Sequence, residues 1–214
     1  MTRMIFVRHG ESAANLARVF AGHTDTPLTE KGHAQAKLTG AYLAARYQID
    51  VAYASDLQRA YDTACDIAAE FDISVQPNAA FREIWAGEWE NRPFDEIAVV
   101  FEEDYRTWRQ NIGHARCTDG ESFLELQSRV CAEARRIAER HDGQTVLVVA
   151  HATPIRALEC AWRGVSADGA KDVPFVPNAS VTVVEYEGDE VRILLRGYNE
   201  HHGELGTGLP RGVV

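Results

Sequence analysis

Thr145-Val146-Leu147-Val148-Val149-Ala150-His151, followed at once by Ala152-Thr153-Pro154, is the most strand-like run of this 214-residue chain. A continuous apolar run of this length leaves no polar face for water, so it reads as a central strand covered on both sides, as in a parallel sheet. Thr153-Pro154 then offers an N-cap residue and a proline at the first helical position, and a helix is expected from just after His151 to about Arg163. The same alternation recurs outward. Met4–Val7 is a short apolar run broken at Arg8-His9-Gly10. Thr29–Tyr47 carries Leu38, Ala41, Tyr42 and Ala45 at helical spacing, Val51–Ala54 is a second short strand, and Leu57–Phe71 is helical. Ile73–Gln76 is a brief extended run ended by Pro77, and Gly120–His141 is a long amphipathic helix. Ser180–Glu187 and Glu190–Arg196, separated by Gly188-Asp189, predict a hairpin with a tight turn. The expectation is an α/β, three-layer fold: a mostly parallel sheet with helices on both faces and an antiparallel edge. Residues 91–122, approximately, loosen into short charged and aromatic pieces and read as a small helical cap insertion. No repeat or linker-like composition divides the chain, so 1–214 reads as a single domain.

Lys and Arg number 22 against 32 Asp and Glu, a formal charge of -10. That balance argues against a protein that tracks nucleic-acid phosphates or anionic lipid over a broad surface, so an anionic ligand must be caught locally. The four cysteines, Cys65, Cys117, Cys131 and Cys160, fall in no short metal-ligand spacing and read as reduced thiols, mostly packing. No run resembles a secretion signal or approaches the ~20 residues of a membrane span. A cytoplasmic location without membrane or nucleic-acid partners is expected, and Asn178-Ala179-Ser180 reads as a chance glycosylation sequon. Nothing in the sequence fixes an oligomeric state.

In open parallel sheets the ligand site lies at the carboxyl ends of the strands, where loops enter helix N-termini. Arg8-His9, Ser55 through Arg59, and His151 all fall at that edge. Two arginines and two histidines beside helix N-termini make a compact cationic pocket in an acidic protein, suited to a phosphoryl group. His23, His33, His114, His141, His201 and His202 show no metal-site spacing with a carboxylate or cysteine, and neither a metal nor any other cofactor is expected.

The run Arg8-His9-Gly10-Glu11-Ser12 resembles the signature of the histidine phosphatase superfamily, the phosphoglycerate mutase-like proteins. The likeness continues in order through Asn15, Gly22–Thr29 with Gly32, Ala54–Ala60, Arg82-Glu83, Gly120-Glu121-Ser122, Val146–His151 and Asn178-Ala179-Ser180. The resemblance implies that His9 is a nucleophile forming a phosphohistidine. A neutral imidazole has a free ring nitrogen near pH 7 and needs no partner base. It also implies that Arg8, Arg59 and His151 clamp the phosphoryl oxygens, and that Glu83 protonates the leaving alkoxide and then activates water. A mildly acidic rate optimum follows from that role. Substrate contacts are expected from Asn15 and from backbone N–H groups near His23-Thr24 and at Ala152.

Two departures bear on the substrate. The family commonly has glycine where this chain has Ala152, which matters only if that backbone needs positive φ. Glu83-Ile84-Trp85-Ala86-Gly87-Glu88-Trp89-Glu90 lacks the Arg-His-Tyr that follows the acid in cofactor-dependent mutases. The resemblance therefore implies a metal-independent phosphatase of small phosphomonoesters, ribazole phosphate or phosphoglycerate derivatives among them. A phosphoglycerate mutase and a non-catalytic phospho-ligand-binding module stay open as alternatives. Trp85, Trp89, Arg92, Arg106, Trp108, Arg109, His114 and Arg116 are candidates to reach the leaving group.

Overall fold

Strand β1 (Thr2–Arg8) buries side chains on both faces. Met4 and Phe6 enter one hydrophobic cluster, while Ile5 and Val7, pointing the other way along the pleat, enter a second. A strand with that pattern is stable only between two helical layers, and this determines the rest of the architecture. The computed structural model describes residues 1–208, so the end of the 1–214 reading lies outside the described residues.

After β1 come α1 (Ala13–Ala17), β2 (Val19–Phe20), α2 (Glu30–Ala44), β3 (Val51–Ala54), α3 (Gln58–Ala68) and β4 (Val75–Pro77). The cap region follows with β5 (Arg92–Pro93), α4 (Phe94–Val100) and α5 (Glu102–Gln110). The chain then returns through α6 (Phe123–Arg140), β6 (Thr145–Ala150), α7 (Ala152–Trp162), β7 (Val181–Glu187) and β8 (Glu190–Tyr198). The main sheet has the order β4-β3-β6-β1-β7-β8. β4, β3, β6 and β1 run parallel, and β7 and β8 close the sheet antiparallel. Pro77 ends β4 at the sheet edge, where its missing N–H costs no ladder bond.

Helices α2 and α3 contribute Leu43, Ala60, Ala64 and Ile67 to the cluster around Ile5 and Val7. On the opposite face α6 and α7 supply Leu126, Val130, Ile137, Ile155 and Leu158, and the cap residues Ile97, Trp108 and Ile112 belong to that same cluster. The cap therefore shares its packing with the sheet. Its stalk is the two-stranded ribbon β2–β5, with Val19 opposite Pro93 and Phe20 opposite Arg92.

The helix starts follow their capping chemistry. Thr29 accepts from the Gly32 N–H at the head of α2, and Ser122 and Glu125 form a reciprocal capping box at the head of α6. At α7 the helix starts just after His151 as expected, but the N-cap is two residues earlier than read: it is His151, with Thr153 and Pro154 inside the first turn. Proline is tolerated there because first-turn N–H groups have no helical acceptor. Among the described residues no helix is long and apolar enough to cross a membrane.

Candidate active site

Strands β1 and β6 are neighbours in parallel register, with Arg8 opposite Ala150, so the residues that follow them emerge side by side. His9 still donates its N–H to the Ala150 carbonyl at 3.0 Å. Its imidazole lies beside that of His151, ring centroids 5.1 Å apart. Strand β3, on the other side of β6, delivers Ser55 and then the first turn of α3 with Arg59. The Gln58 N–H at that turn donates to Asp25 at 2.7 Å, a cap supplied by a distant loop. The four cationic or nucleophilic residues expected at the sheet edge are thus brought together.

The nucleophile loop is fixed on every side. The Gly10 N–H donates to Thr63 Oγ1 at 3.0 Å, and Asn178 Nδ2 donates to the His9 carbonyl at 3.0 Å and to Gly10 O at 3.3 Å. A side chain at Gly10 would place its Cβ 2.4 Å from the Gly32 carbonyl oxygen, so only glycine lets the loop sit on α2. His9 Nδ1 lies 2.7 Å from the Gly10 carbonyl. A carbonyl can only accept, so Nδ1 carries the proton and Nε2 keeps its lone pair. Burial, then the charges of Arg59 and Arg8, hold the His9 pKa well below the ordinary histidine value. The ring is neutral at pH 7.

His151 is equally buried, and burial followed by Arg59 and His9 depresses its pKa in the same way. Its Nε2 meets Ser55 Oγ at 2.8 Å. Ser55 Oγ also accepts from the Leu57 N–H at 3.3 Å. His151 Nδ1 is buried without a protein partner, and it is a free donor in the tautomer in which Ser55 Oγ donates to Nε2.

The arginines give the site its charge. Arg59 is 1% exposed, and its Nη2 and Nη1 donate to the Gly22 carbonyl at 2.8 Å and the Thr24 carbonyl at 3.0 Å. Arg8 is 6% exposed, and its Nη1 donates to Val176 O at 2.7 Å. Burial pushes the Arg8 pKa down to about 10, with Glu83 opposing the shift and Arg59 deepening it. Arg59 is lowered too, chiefly by burial. Both remain cations at pH 7. Among the described residues neither forms a carboxylate ion pair within 4.0 Å, although a buried unpaired charge costs several kcal/mol. Two such cations around a neutral imidazole make the pocket a seat for an anion.

Glu83 sits across the pocket, where its Oε1 accepts from the Ile84 N–H at 2.8 Å and its Oε2 from the Thr153 N–H at 3.4 Å. Arg129 on α6 holds this segment from behind. Its guanidinium donates to the carbonyls of Ala80, Arg82 and Glu83 and pairs with Glu121 at 2.7 Å. Arg82 itself grips Asp56 through two bonds of 2.7 and 2.6 Å, tying the Glu83 segment to the start of α3.

The expected substrate contacts divide. Asn15 lines the pocket; its Oδ1 accepts from Ser12 and from Asn178, so its Nδ2 is the end left for a ligand. Ala152 lines the pocket at the head of α7, and its φ is not positive, so the alanine imposes no strain where the family has glycine. His23 and Thr24 do not offer their N–H groups. Both donate to the Glu90 carboxylate at 2.7 Å, and Thr24 Oγ1 does so at 2.6 Å. The correction has a physical reason: Glu90 occupies the turn's N–H cradle from one side, so the same turn presents its carbonyls to Arg59 on the other. His23 Nε2 instead donates to Glu83 O at 2.9 Å.

Of the cap candidates only Trp108 lines the pocket. Trp89 is buried with Nε1 on Thr118, Trp85 and Arg106 are exposed, and Arg109 bonds Tyr105. Arg92, Arg116 and His114 pair with Glu96, Glu125 and Asp168. The remaining apolar wall is Val19, Phe20, Phe94 and Phe175, none of which was anticipated. Thr63, Ser55, Asn178 and Arg129 were likewise missed as scaffold. Ser55 and Asn178 had a signal, since both fall in stretches of the family's pattern. Among the described residues no three His, Cys, Asp or Glu side chains gather in a metal-binding group.

The model of the histidine phosphatase superfamily (branch 1) matches residues 4–199. Phosphoserine phosphatase 1 of Hydrogenobacter thermophilus is 36% identical over 206 residues, 96% of each chain. The adenosylcobalamin/alpha-ribazole phosphatase of Escherichia coli is 31% identical, covering 78% of this chain and 81% of that one. Among solved structures, Bacillus stearothermophilus YhfR superposes with a TM-score of 0.90 at 30% identity, covering 94% of this chain and all of that one. With the family's ordered residues folded into one pocket, the chain belongs to the histidine phosphatase superfamily, branch 1, and is a phosphoric monoester hydrolase.

Proposed function

We propose that this enzyme hydrolyses small organic phosphomonoesters by passing the phosphoryl group through His9. The observation that carries the reading is the pair of buried, carboxylate-free guanidinium groups of Arg8 and Arg59 beside a neutral imidazole whose Nε2 is unprotonated. A dianionic phosphoryl group entering the site satisfies both cations and accepts from His151 Nδ1, the ring nitrogen without a protein partner, in its N–H tautomer.

Nε2 of His9 attacks phosphorus and the bond from phosphorus to the ester oxygen breaks. Positive charge develops on the ring, and the Gly10 carbonyl accepting from Nδ1 stabilises it. The leaving oxygen takes a proton from the Glu83 carboxyl and departs as an alcohol. Water then attacks phosphorus and gives a proton to the Glu83 carboxylate. The P–N bond breaks with its electron pair returning to Nε2, and inorganic phosphate leaves. Arg8, Arg59, His151 and Asn15 hold the equatorial oxygens through both steps. Their donors are fixed before substrate arrives, so little reorganisation remains for the reaction itself.

The test is phosphate release from a panel of phosphomonoesters in EDTA, with His9→Ala as control. Release that survives chelation and is lost in the variant supports the reading. Failure to hydrolyse any member, with isomerisation of 3-phosphoglycerate primed by its bisphosphate, would replace it with a mutase; inactivity in both assays would indicate a binding module.

A further inference from the structure

We infer that the leaving group this site selects is apolar, an aromatic or branched hydrocarbon alcohol, and not a zwitterionic or carboxylated one. The inference rests on the His9 phosphatase reading and concerns the part of the pocket beyond the phosphoryl clamp. That part is walled by Val19, Phe20, Phe94, Trp108 and Phe175, with Arg18 at its rim.

The walls are preformed. Phe20 packs edge-on against Trp108 at 5.3 Å and Phe94 at 5.7 Å between ring centroids, so the three rings brace one another. Phe175, approaching from the loop before β7, lies under the Arg156 guanidinium at 4.5 Å. Phe20, Trp108 and Phe175 are each no more than 7% exposed. A leaving group that enters replaces water on aromatic faces already ordered, so its apolar area is gained with little entropic cost.

Charge complementarity points the same way. An amino-acid leaving group needs an anion for its ammonium and a cation for its carboxylate, both paired as water is stripped away. Among the described residues the only carboxylate lining the pocket is Glu83, already accepting from two backbone N–H groups and required for proton transfer. Among the described residues Arg18 is the one cation lining the pocket beyond the clamp; it is exposed, in the left-handed backbone conformation at φ 57°. A zwitterion thus finds no free carboxylate for its ammonium, only the weaker cation–π attraction of the ring faces. The Gly22–Thr24 turn offers a carboxylate no N–H cradle either, because Glu90 fills it.

The test compares 2-phenylethyl phosphate with O-phospho-L-serine and 3-phosphoglycerate. All three release an alkyl alcohol, so the comparison is not dominated by the leaving-group acidity of an aryl ester. Burying one phenyl ring is expected to favour phenylethyl phosphate by about 30-fold or more in kcat/KM. In Phe94→Ala, a half-buried wall position, that ratio is expected to fall about 5-fold, and Phe94→Leu should restore most of it. Equal or higher kcat/KM for phosphoserine or phosphoglycerate overturns the inference while leaving the His9 reading intact. An unchanged ratio in a folded Phe94→Ala enzyme also overturns it. Loss of the His9 reading shows up differently, as turnover of every substrate that His9→Ala does not affect.

Discussion

Replacing Arg59 with methionine separates function from folding. Arg59 is buried, lacks a carboxylate within ion-pair distance, and is held only by the carbonyls of Gly22 and Thr24. Removing the charge relieves a desolvation cost of several kcal/mol, while two carbonyls lose a donor at about 1 kcal/mol each and a similar side-chain volume is kept. The unliganded variant should therefore lie within about 1 kcal/mol of wild type, or above it. Catalysis behaves oppositely. The guanidinium supplies two charge-assisted hydrogen bonds to the phosphoryl group at about 2 kcal/mol each, so Arg59→Met should lower kcat/KM by about 1,000-fold. Binding linkage gives the third number. At a phosphate or vanadate concentration of about 100 times Kd, wild type gains about 2.7 kcal/mol, or roughly 5–10 °C in Tm for a chain of this size, and the variant should gain almost none. Thermal unfolding with and without vanadate, alongside steady-state kinetics, reads all three. A variant several kcal/mol less stable whose Tm still rises with vanadate would make Arg59 a structural residue and refute the reasoning.

Glu83→Gln should cut turnover of alkyl phosphates by 100- to 10,000-fold. With p-nitrophenyl phosphate, whose leaving group needs no proton, a burst of nitrophenol should precede slow turnover as phosphoenzyme accumulates; equal loss on both substrates without a burst would count against Glu83 as the acid. Burial holds His9 and His151 below the usual 6.5, so below that pH the unfolded chain binds protons that the fold refuses. Their contribution is fully present above about pH 6.5 and is lost as pH falls, so Tm should drop between pH 7 and 5, and the His9→Gln/His151→Gln double variant should show a shallower slope; parallel slopes would contradict this. Arg129→Met leaves the Glu121 carboxylate and three carbonyls short of a donor and should cost about 3 kcal/mol, measured by urea unfolding, whereas Arg116→Met on an exposed pair should leave the urea midpoint nearly unchanged.

The legible parts of this chain are those where one local rule acts alone. Val146–Ala150 had to be a central strand because nothing in it faces water, and its flanks β1 and β3 follow. The Gly188-Asp189 turn between β7 and β8 falls where its two residues place it, with Gly188 at φ 59°. Helix ends were less accurate: Thr29–Tyr47 shortens to Glu30–Ala44 and Gly120–His141 to Phe123–Arg140, because caps, and not periodicity, set where helices stop. α1 and the β2–β5 ribbon are too short to show a period at all. Within the site, Arg8, His9, Arg59, Glu83 and His151 could be named because strand ends and the family pattern coincide on them. The Glu90 clamp on the 22–24 turn could not, since it joins residues 66 and 67 positions apart whose pairing no spacing rule encodes. Phe20, Phe94 and Phe175 were invisible as a wall for the same reason: three chain segments contribute one aromatic each.

The central claim is that phosphorus is bonded to His9 during turnover, and rapid acid-free quenching of enzyme mixed with excess substrate, followed by peptide mass spectrometry, tests it most directly. A phosphate adduct of acid-labile, base-stable character on the peptide containing His9, formed as fast as turnover and missing from His9→Ala, is the expected result. Full turnover with no adduct on His9, including in Glu83→Gln where its breakdown should be slowed, would contradict it.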